Sequence, residues 1–159
     1  MVVRAPVAFV PVGRSALPPV EGEAHHQRMW VDQRGSEILG LAECRRLLAL
    51  GAKEKRPGHV GIPQEHAPLV LPVDYQMDGS DVIVLVGDHL SAEMTGARAV
   101  ALQVDGLQEG RSWSVLVRGP ALEASAASID GDLPSPSVAE PGRSYVRIRA
   151  DVVTGRRLR

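Results

Sequence analysis

Residue types able to do chemistry are few and scattered in this chain of 159 residues. The histidines are His25, His26, His59, His66 and His89, and no two stand four apart on a segment of helical period. A zinc site needs three or four converging ligands, so no metal is expected. The single cysteine, Cys44, falls among Leu41, Leu47 and Leu48. A nucleophilic thiol needs a neighbouring base and an accessible, electropositive setting. Without those signs Cys44 is read as a small buried apolar residue. One cysteine also excludes a disulfide within the chain and a cysteine zinc cluster. No G-x-G-x-x-G follows a strand and opens a helix, and no Walker A sequence occurs. Gly58-His59-Val60-Gly61 and Gly87-Asp88-His89 are short turns that need only a permissive residue. Residues 143–159 hold six arginines against the single acid Asp151. They read as a solvated face, with a phosphate or partner contact as the functional alternative. Trp113 and Tyr75 fall in apolar, extended stretches, where an aromatic either fills a core or walls a flat ligand.

Composition narrows what these groups can serve. Lys plus Arg is 18 and Asp plus Glu is 19, a formal net charge of −1. Nucleic-acid binders carry a basic excess, so that class is not expected. Five aromatics in all (Phe9, Trp30, Tyr75, Trp113 and Tyr145) are too few for a base-stacking platform. Hydrophobic residues at 44% are enough for a core. No apolar run approaches the roughly 20 residues of a membrane span. The stretch at 7–12 is broken by Pro11 and does not read as a signal peptide. A soluble cytoplasmic protein is expected, with no nucleic-acid or membrane partner.

Residues 1–28 carry Pro6, Pro11, Pro18 and Pro19 without a period, and read as a loose extension. The domain is placed at 29–159, and Met29, where patterning begins, is read as the start of the native protein. Residues 38–50 carry Ile38, Leu41, Cys44, Leu47 and Leu48 at spacings of three and four, which predicts a helix capped by Gly51. From there the period changes to that of strands. Residues 69–75 are extended, with Pro72 demanding an edge or a bulge. Asp78-Gly79 signals a hairpin. The continuous apolar run at 81–87 predicts a strand buried on both faces. A short helix follows at 90–95, a strand at 99–105, a loop at 106–110 and a strand at 112–119 extended to Glu123. The stretch 125–142 reads as a loop and 145–149 as a half-buried strand. Short antiparallel strands with few helices to cover them close best as a barrel. The fold class is mainly β, a small β-barrel with one or two helices.

Several stretches in order resemble the pyridoxamine 5'-phosphate oxidase-like family. They are V-D-Q-R-G-S-E-I-L (31–39), A-E-C-R-R-L-L (42–48), L-P-V-D-Y (71–75), A-V-A-L-Q-V-D (99–105), W-S-V-L-V-R-G (113–119) and I-R-A-D-V-V-T-G-R-R-L (148–158). The resemblance implies a split β-barrel of the FMN-binding type. Such barrels pair as homodimers with FMN in two clefts at the interface, lined mostly by backbone. Carried onto this chain, the cofactor would meet Val73, Asp74, Tyr75, Val86, Gly87, His89 and Leu90. His59, Val60 and Gly61 would form a first strand beside the ring, and Trp113 and Ser114 would reach toward the partner's site. Where the family often has Lys or Arg after L-V-G, this chain has His89 between Asp88 and Glu93, and Asp74 stands for the usual Asn. The phosphate's counter-charge then falls to Arg98, Arg118 or the C-terminal arginines. The resemblance implies an FMN-dependent oxidoreductase on a small molecule. The alternative is a non-catalytic dimeric module holding a deazaflavin, haem or nothing. A strict pyridoxal-phosphate-metabolising oxidase would need several basic residues in the matched strands, which this chain lacks.

Overall fold

The computed structural model describes residues 36–135 and 142–158. The expectations for the extension at 1–28, for Met29 and for His25 and His26 lie outside the described residues. The elements are β1 (Glu37–Leu39), α1 (Leu41–Lys53), β2 (Gly58–Ile62), β3 (Leu69–Asp78), β4 (Asp81–Gly87) and α2 (Asp88–Gly96), then β5 (Val100–Gln108), β6 (Arg111–Gly119), β7 (Ala121–Ala124), β8 (Arg143–Ile148) and β9 (Val152–Arg157). A short 3-10 turn covers Ala126–Ser128. The strands run antiparallel in the order β1-β9-β6-β5-β2-β3-β4-β8-β7.

The split lies in β3. Its residues 69–73 pair with β2, and its residues 74–78 pair with β4. One ten-residue strand therefore belongs to two sheets. Pro72 sits in the first half, opposite His59 and with no paired residue on the β4 side. A residue without an N–H is tolerated there because one of its edges needs no ladder. β4 carries Val82, Ile83, Val84, Leu85 and Val86 all buried, as a continuous apolar run requires. The β3–β4 hairpin closes through Gly79 (φ 61) and Ser80, between the paired Asp78 and Asp81.

Four sequence expectations shift. Gly58-His59-Val60-Gly61 is not a turn but part of β2, paired with β3 and β5. The helix starts at Leu41, and Ile38 lies instead in β1 opposite Arg156, 48% exposed. Gly51 does not cap α1; it sits inside the helix, where a Cβ would come within 2.5 Å of the Tyr75 hydroxyl and 3.3 Å of Val104 Cγ1. The C-cap is Glu54, and Lys55 after it takes the left-handed conformation at φ 55. The Arg56 N–H donates to the Gly51 carbonyl at 2.9 Å and the Lys55 N–H to that of Ala52 at 3.0 Å, a Schellman closure. Finally, 106–110 is not a loop. β5 runs on to Gln108 and turns through Glu109 (φ 51) and Gly110 (φ 74). Two positive φ values make this the primed turn whose twist matches a hairpin. Gly106 is paired with Trp113, and the indole ring occupies the space a Cβ there would fill. That glycine serves packing within the strand.

β1 and β9 form one edge of the larger sheet, and β7 the far edge of the smaller. Along β9 only Gly155 is buried, so no apolar alternation marks the strand. α1 buries Cys44, Leu47, Leu48 and Ala52 in a core shared with Val60, Leu102, Val104, Trp113 and Val115. The Cys44 thiol donates to the Leu39 carbonyl at 3.8 Å, and burial pushes its pKa up, as suits a packing residue.

Candidate functional site

Side chains alternate across a strand, and directly opposed residues share a face. Register therefore sorts the larger sheet into an inner and an outer surface. One outward row runs Val152, Arg118, Ala101, Gly61 and Val70 across β9, β6, β5, β2 and β3. The next runs Thr154, Leu116, Gln103, His59 and Pro72. A third holds Asp105, Ser114 and Arg156. The outer face is thus small and open at Gly61, where a Cβ would meet only Ala101, at 3.8 Å and beyond.

The residues singled out in the sequence divide between the two surfaces. His59, Gly61 and Ser114 stand on the outer face, and Asp74, half-buried, lies on β3 opposite Leu85. Gly87 and His89 are exposed where β4 gives way to α2, and Leu90 is half-buried there. Val60, Val73, Val86, Tyr75 and Trp113 are buried in the core. The Tyr75 hydroxyl donates to the Leu48 carbonyl at 2.7 Å, which ties β3 to α1. Burial raises the pKa of that phenol well above its ordinary range. Trp113 fills the space between Gly106 and Gly51, its indole N–H without a hydrogen-bond partner among the described residues.

The β4–α2 turn carries Asp88, His89 and Glu93, with Arg143 opposite Gly87 in register. His89 pairs with Glu93 at 3.0 Å, and Glu93 also accepts from Gln64 at 3.0 Å. Asp88 accepts from the Ser144 hydroxyl at 2.6 Å. The C-terminal arginines are largely engaged inside the fold. Arg147 bridges Asp78 at 2.6 Å and Asp81 at 3.6 Å. Arg157 binds Glu43 at 2.7 Å and Arg149 lies 3.4 Å from Asp151. Glu43 also takes a hydrogen bond from Arg46, which with Arg157 lowers its pKa to about 2 against the opposing effect of burial. Arg147 likewise holds Asp78 below the usual carboxylate range. These shifted groups stabilise the structure, and none lies on the outer face.

A concavity lies at the end of α1. Lys55, Arg56, Asp74, Gln76, Pro134 and Ser135 line a cleft of about 170 Å³ at the end of α1. It adjoins a broader one of about 560 Å³ that reaches Lys53, Met77 and Asp132. Asp74 and Tyr75, both named for the cofactor in the sequence, belong to the lining of the first cleft, and the K-E-K-R run at 53–56 is the part the sequence reading missed. Arg56 is partly neutralised by Glu54 at 2.6 Å. Cations at a helix C-terminus also complement the helix dipole, which accounts for the run without a ligand. Among the described residues no cluster of three His, Cys, Asp or Glu is placed to hold a metal, and no helix is long and apolar enough to cross a membrane.

Gly61, with Ala101 beside it, leaves a shallow bare area of sheet, and His59, Gln103 and Ser114 set polar groups around it.

The chain was compared with known proteins. A family model described as pyridoxamine 5'-phosphate oxidase matches residues 41–157. A search of curated proteins gives no match. A Corynebacterium glutamicum structure named for the same oxidase shares 21% identity, with a TM-score of 0.64 over 77% of this chain and 98% of that one. The FAD binding protein of Mycobacterium smegmatis shares 23%, also with a TM-score of 0.64, over 77% and 99%. An FAD-binding protein of Mesorhizobium loti shares 20%, with a TM-score of 0.61 over 78% and 99%. At these identities the structures speak for the fold, a split barrel built on the shared strand β3. The family model spans most of the chain, and this protein belongs to the pyridoxamine 5'-phosphate oxidase family.

Proposed function

We propose that this protein binds a flavin, FMN, on the outer face of its larger sheet and serves as an FMN-dependent oxidoreductase for a small molecule. The observation that carries the reading is the bare sheet surface at Gly61, edged by His59, Gln103 and Ser114. The names of the Mycobacterium and Mesorhizobium relatives support a flavin in this fold. When bound, FMN supplies the electron and hydride transfer. The protein's part is to bind and orient it. Gly61 and Ala101 admit the ring close to the backbone, and the polar groups of His59 and Ser114 stand beside them on the same face. A second copy of the chain would cover this face, including the exposed Val70 and Val152, and exclude water. The working protein is therefore a homodimer, and we place it in the cytoplasm.

The test is an absorbance spectrum of purified protein, with mass spectrometry of any released ligand and size determination in solution. A yellow dimer releasing FMN is expected. A colourless protein that fails to take up added FMN, or a monomer, would refute the corresponding part.

The acidic turn at Asp88 and Glu93 favours a second reading, a non-catalytic dimer holding a deazaflavin, haem or no ligand. On that reading His89→Lys creates a flavin affinity that the native protein lacks. Strong native affinity that falls on the same change counts against it.

A further inference from the structure

We infer that the broader cleft at the end of α1 is a binding site for a small zwitterion, with a carboxylate at one end of a short apolar chain and an ammonium at the other. The inference does not rest on the flavin reading. At about 560 Å³ the cleft has the ordinary size of a small-molecule site. Its charged lining is Lys53, Lys55 and Asp132. Lys53 and Lys55 are the only lysines among the 18 Lys and Arg residues of the sequence. Among the described residues neither lysine meets a carboxylate within ion-pair distance, and Asp132 meets no cation. Opposite charges thus line one cavity without closing on one another. The neighbouring charges are committed. Arg56 pairs with Glu54 at 2.6 Å, and Asp74, in the adjoining narrower cleft, is itself engaged.

Both walls of the cleft are fixed by the fold. The lysine wall is the closed end of α1, where the Lys55 N–H donates to Ala52 at 3.0 Å and the Arg56 N–H to Gly51 at 2.9 Å. The wall that carries Asp132 is clamped to the β3–β4 hairpin. The buried Asp78 carboxylate accepts the N–H groups of Asp130 at 3.1 Å and Gly131 at 3.0 Å. Arg147, which bridges Asp78, also donates to the Ser128 carbonyl at 3.1 Å. Gly131 lies so close to β3 that a Cβ there would come 2.5 Å from the Met77 carbonyl oxygen. Asp132 follows this clamp directly, and a wall held in place lowers the ordering cost of binding. The dipole of α1 explains cations at its end. It does not explain an acid anchored on the same cleft. An anion alone would be repelled by Asp132 and a cation alone by the lysines, whereas a ligand with both charges meets each with its opposite. Ala49, Ala52 and Met77 line the same cleft and offer apolar surface to the methylene chain.

The experiment titrates the full-length protein at low salt with three probes of one chain length, followed by amide shifts in two-dimensional NMR. The probes are ε-aminocaproate, which carries both charges, caproate and hexylamine. The zwitterion is expected to bind about five-fold more tightly than either single-charge probe, with the difference shrinking as salt rises. The amides that shift should be those of 53–56, Gln76 and 131–133. Asp132→Asn should bring the zwitterion down to the level of caproate. Lys53→Met with Lys55→Met should bring it down to that of hexylamine. Arg98→Met, which removes an exposed cation away from the cleft, should change none of the three. Circular dichroism confirms folding, and Asp132→Ser or the paired Lys→Gln changes replace any variant that fails to fold. The inference is overturned if caproate or hexylamine binds as tightly as the zwitterion, if Asp132→Asn leaves zwitterion affinity intact, or if no probe shifts these amides at tens of millimolar. Flavin content is read separately by absorbance, so none of these results touches the flavin reading.

Discussion

Gly51 and Tyr75 form a pair whose coupling can be worked from distances. Replacing Gly51 by Ala in the middle of a helix ordinarily gains about 1 kcal/mol from helix propensity. Here the new methyl would stand 2.5 Å from the Tyr75 hydroxyl oxygen and 3.3 Å from Val104 Cγ1. The tyrosine cannot simply swing away, because it is 3% exposed and its hydroxyl donates to the Leu48 carbonyl at 2.7 Å. Overpacking of this kind costs about 1–3 kcal/mol. Gly51→Ala alone should therefore destabilise by about 1 kcal/mol net. Tyr75→Phe alone loses one buried hydrogen bond and should cost about 1 kcal/mol. The double variant removes the atom the methyl strikes, so the helix gain returns. It should be about 1 kcal/mol more stable than Tyr75→Phe alone and close to native, a coupling of roughly 2 kcal/mol. Urea unfolding followed by circular dichroism on all four proteins measures this. Additivity within about 0.5 kcal/mol would show that the hydroxyl is not what excludes a side chain at 51.

Other consequences follow from the same contacts. Glu43 has its pKa lowered from 4.5 to about 2 by Arg46 and Arg157, so its ion pairs stabilise the fold above about pH 4.5 and that contribution fades as pH falls toward 2. Glu43→Gln should be less stable than native at pH 7 and equal to it near pH 2, as read by thermal melts across that range; a constant difference at both ends would contradict the assignment. Gly106→Ala pushes a methyl into the Trp113 ring and should cost about 1–3 kcal/mol with a shifted tryptophan emission, whereas native emission and stability would mean that the ring has room to move. Glu109, at φ 51, holds a conformation asparagine adopts more readily, so Glu109→Asn should raise stability by a few tenths to about 1 kcal/mol in chemical unfolding, and a loss would refute the turn assignment.

Legibility in the sequence followed the strength of the local pattern. The five-residue buried run of β4 had no solvated alternative, and Asp78-Gly79 marked its hairpin. Cys44, Leu47 and Leu48 marked α1 because helical period brings them to one side. β9 carried no such mark, because only Gly155 of its six residues is buried, and it entered through family resemblance. Gly51 and Gly106 misled for a shared reason. Each looks like a break when read along the chain, and each is a place where a ring from another strand lies against the backbone. The residues named for a flavin lie on β2, β3, β4, α2 and β6. Within them the pleat sent His59, Gly61 and Ser114 outward and Val60, Tyr75 and Trp113 into the core.

By itself the sequence determined α1 and the β3, β4 and β6 segments, the barrel class and the family, because periodicity, turn chemistry and ordered motifs are local or linear signals. Only the tertiary structure decided which arginines are already neutralised and that Arg118 shares a row with Gly61. It also decided that β3 passes between two sheets. Those facts depend on register between strands distant in the chain, and a register shift of one residue would exchange every inward side chain for an outward one.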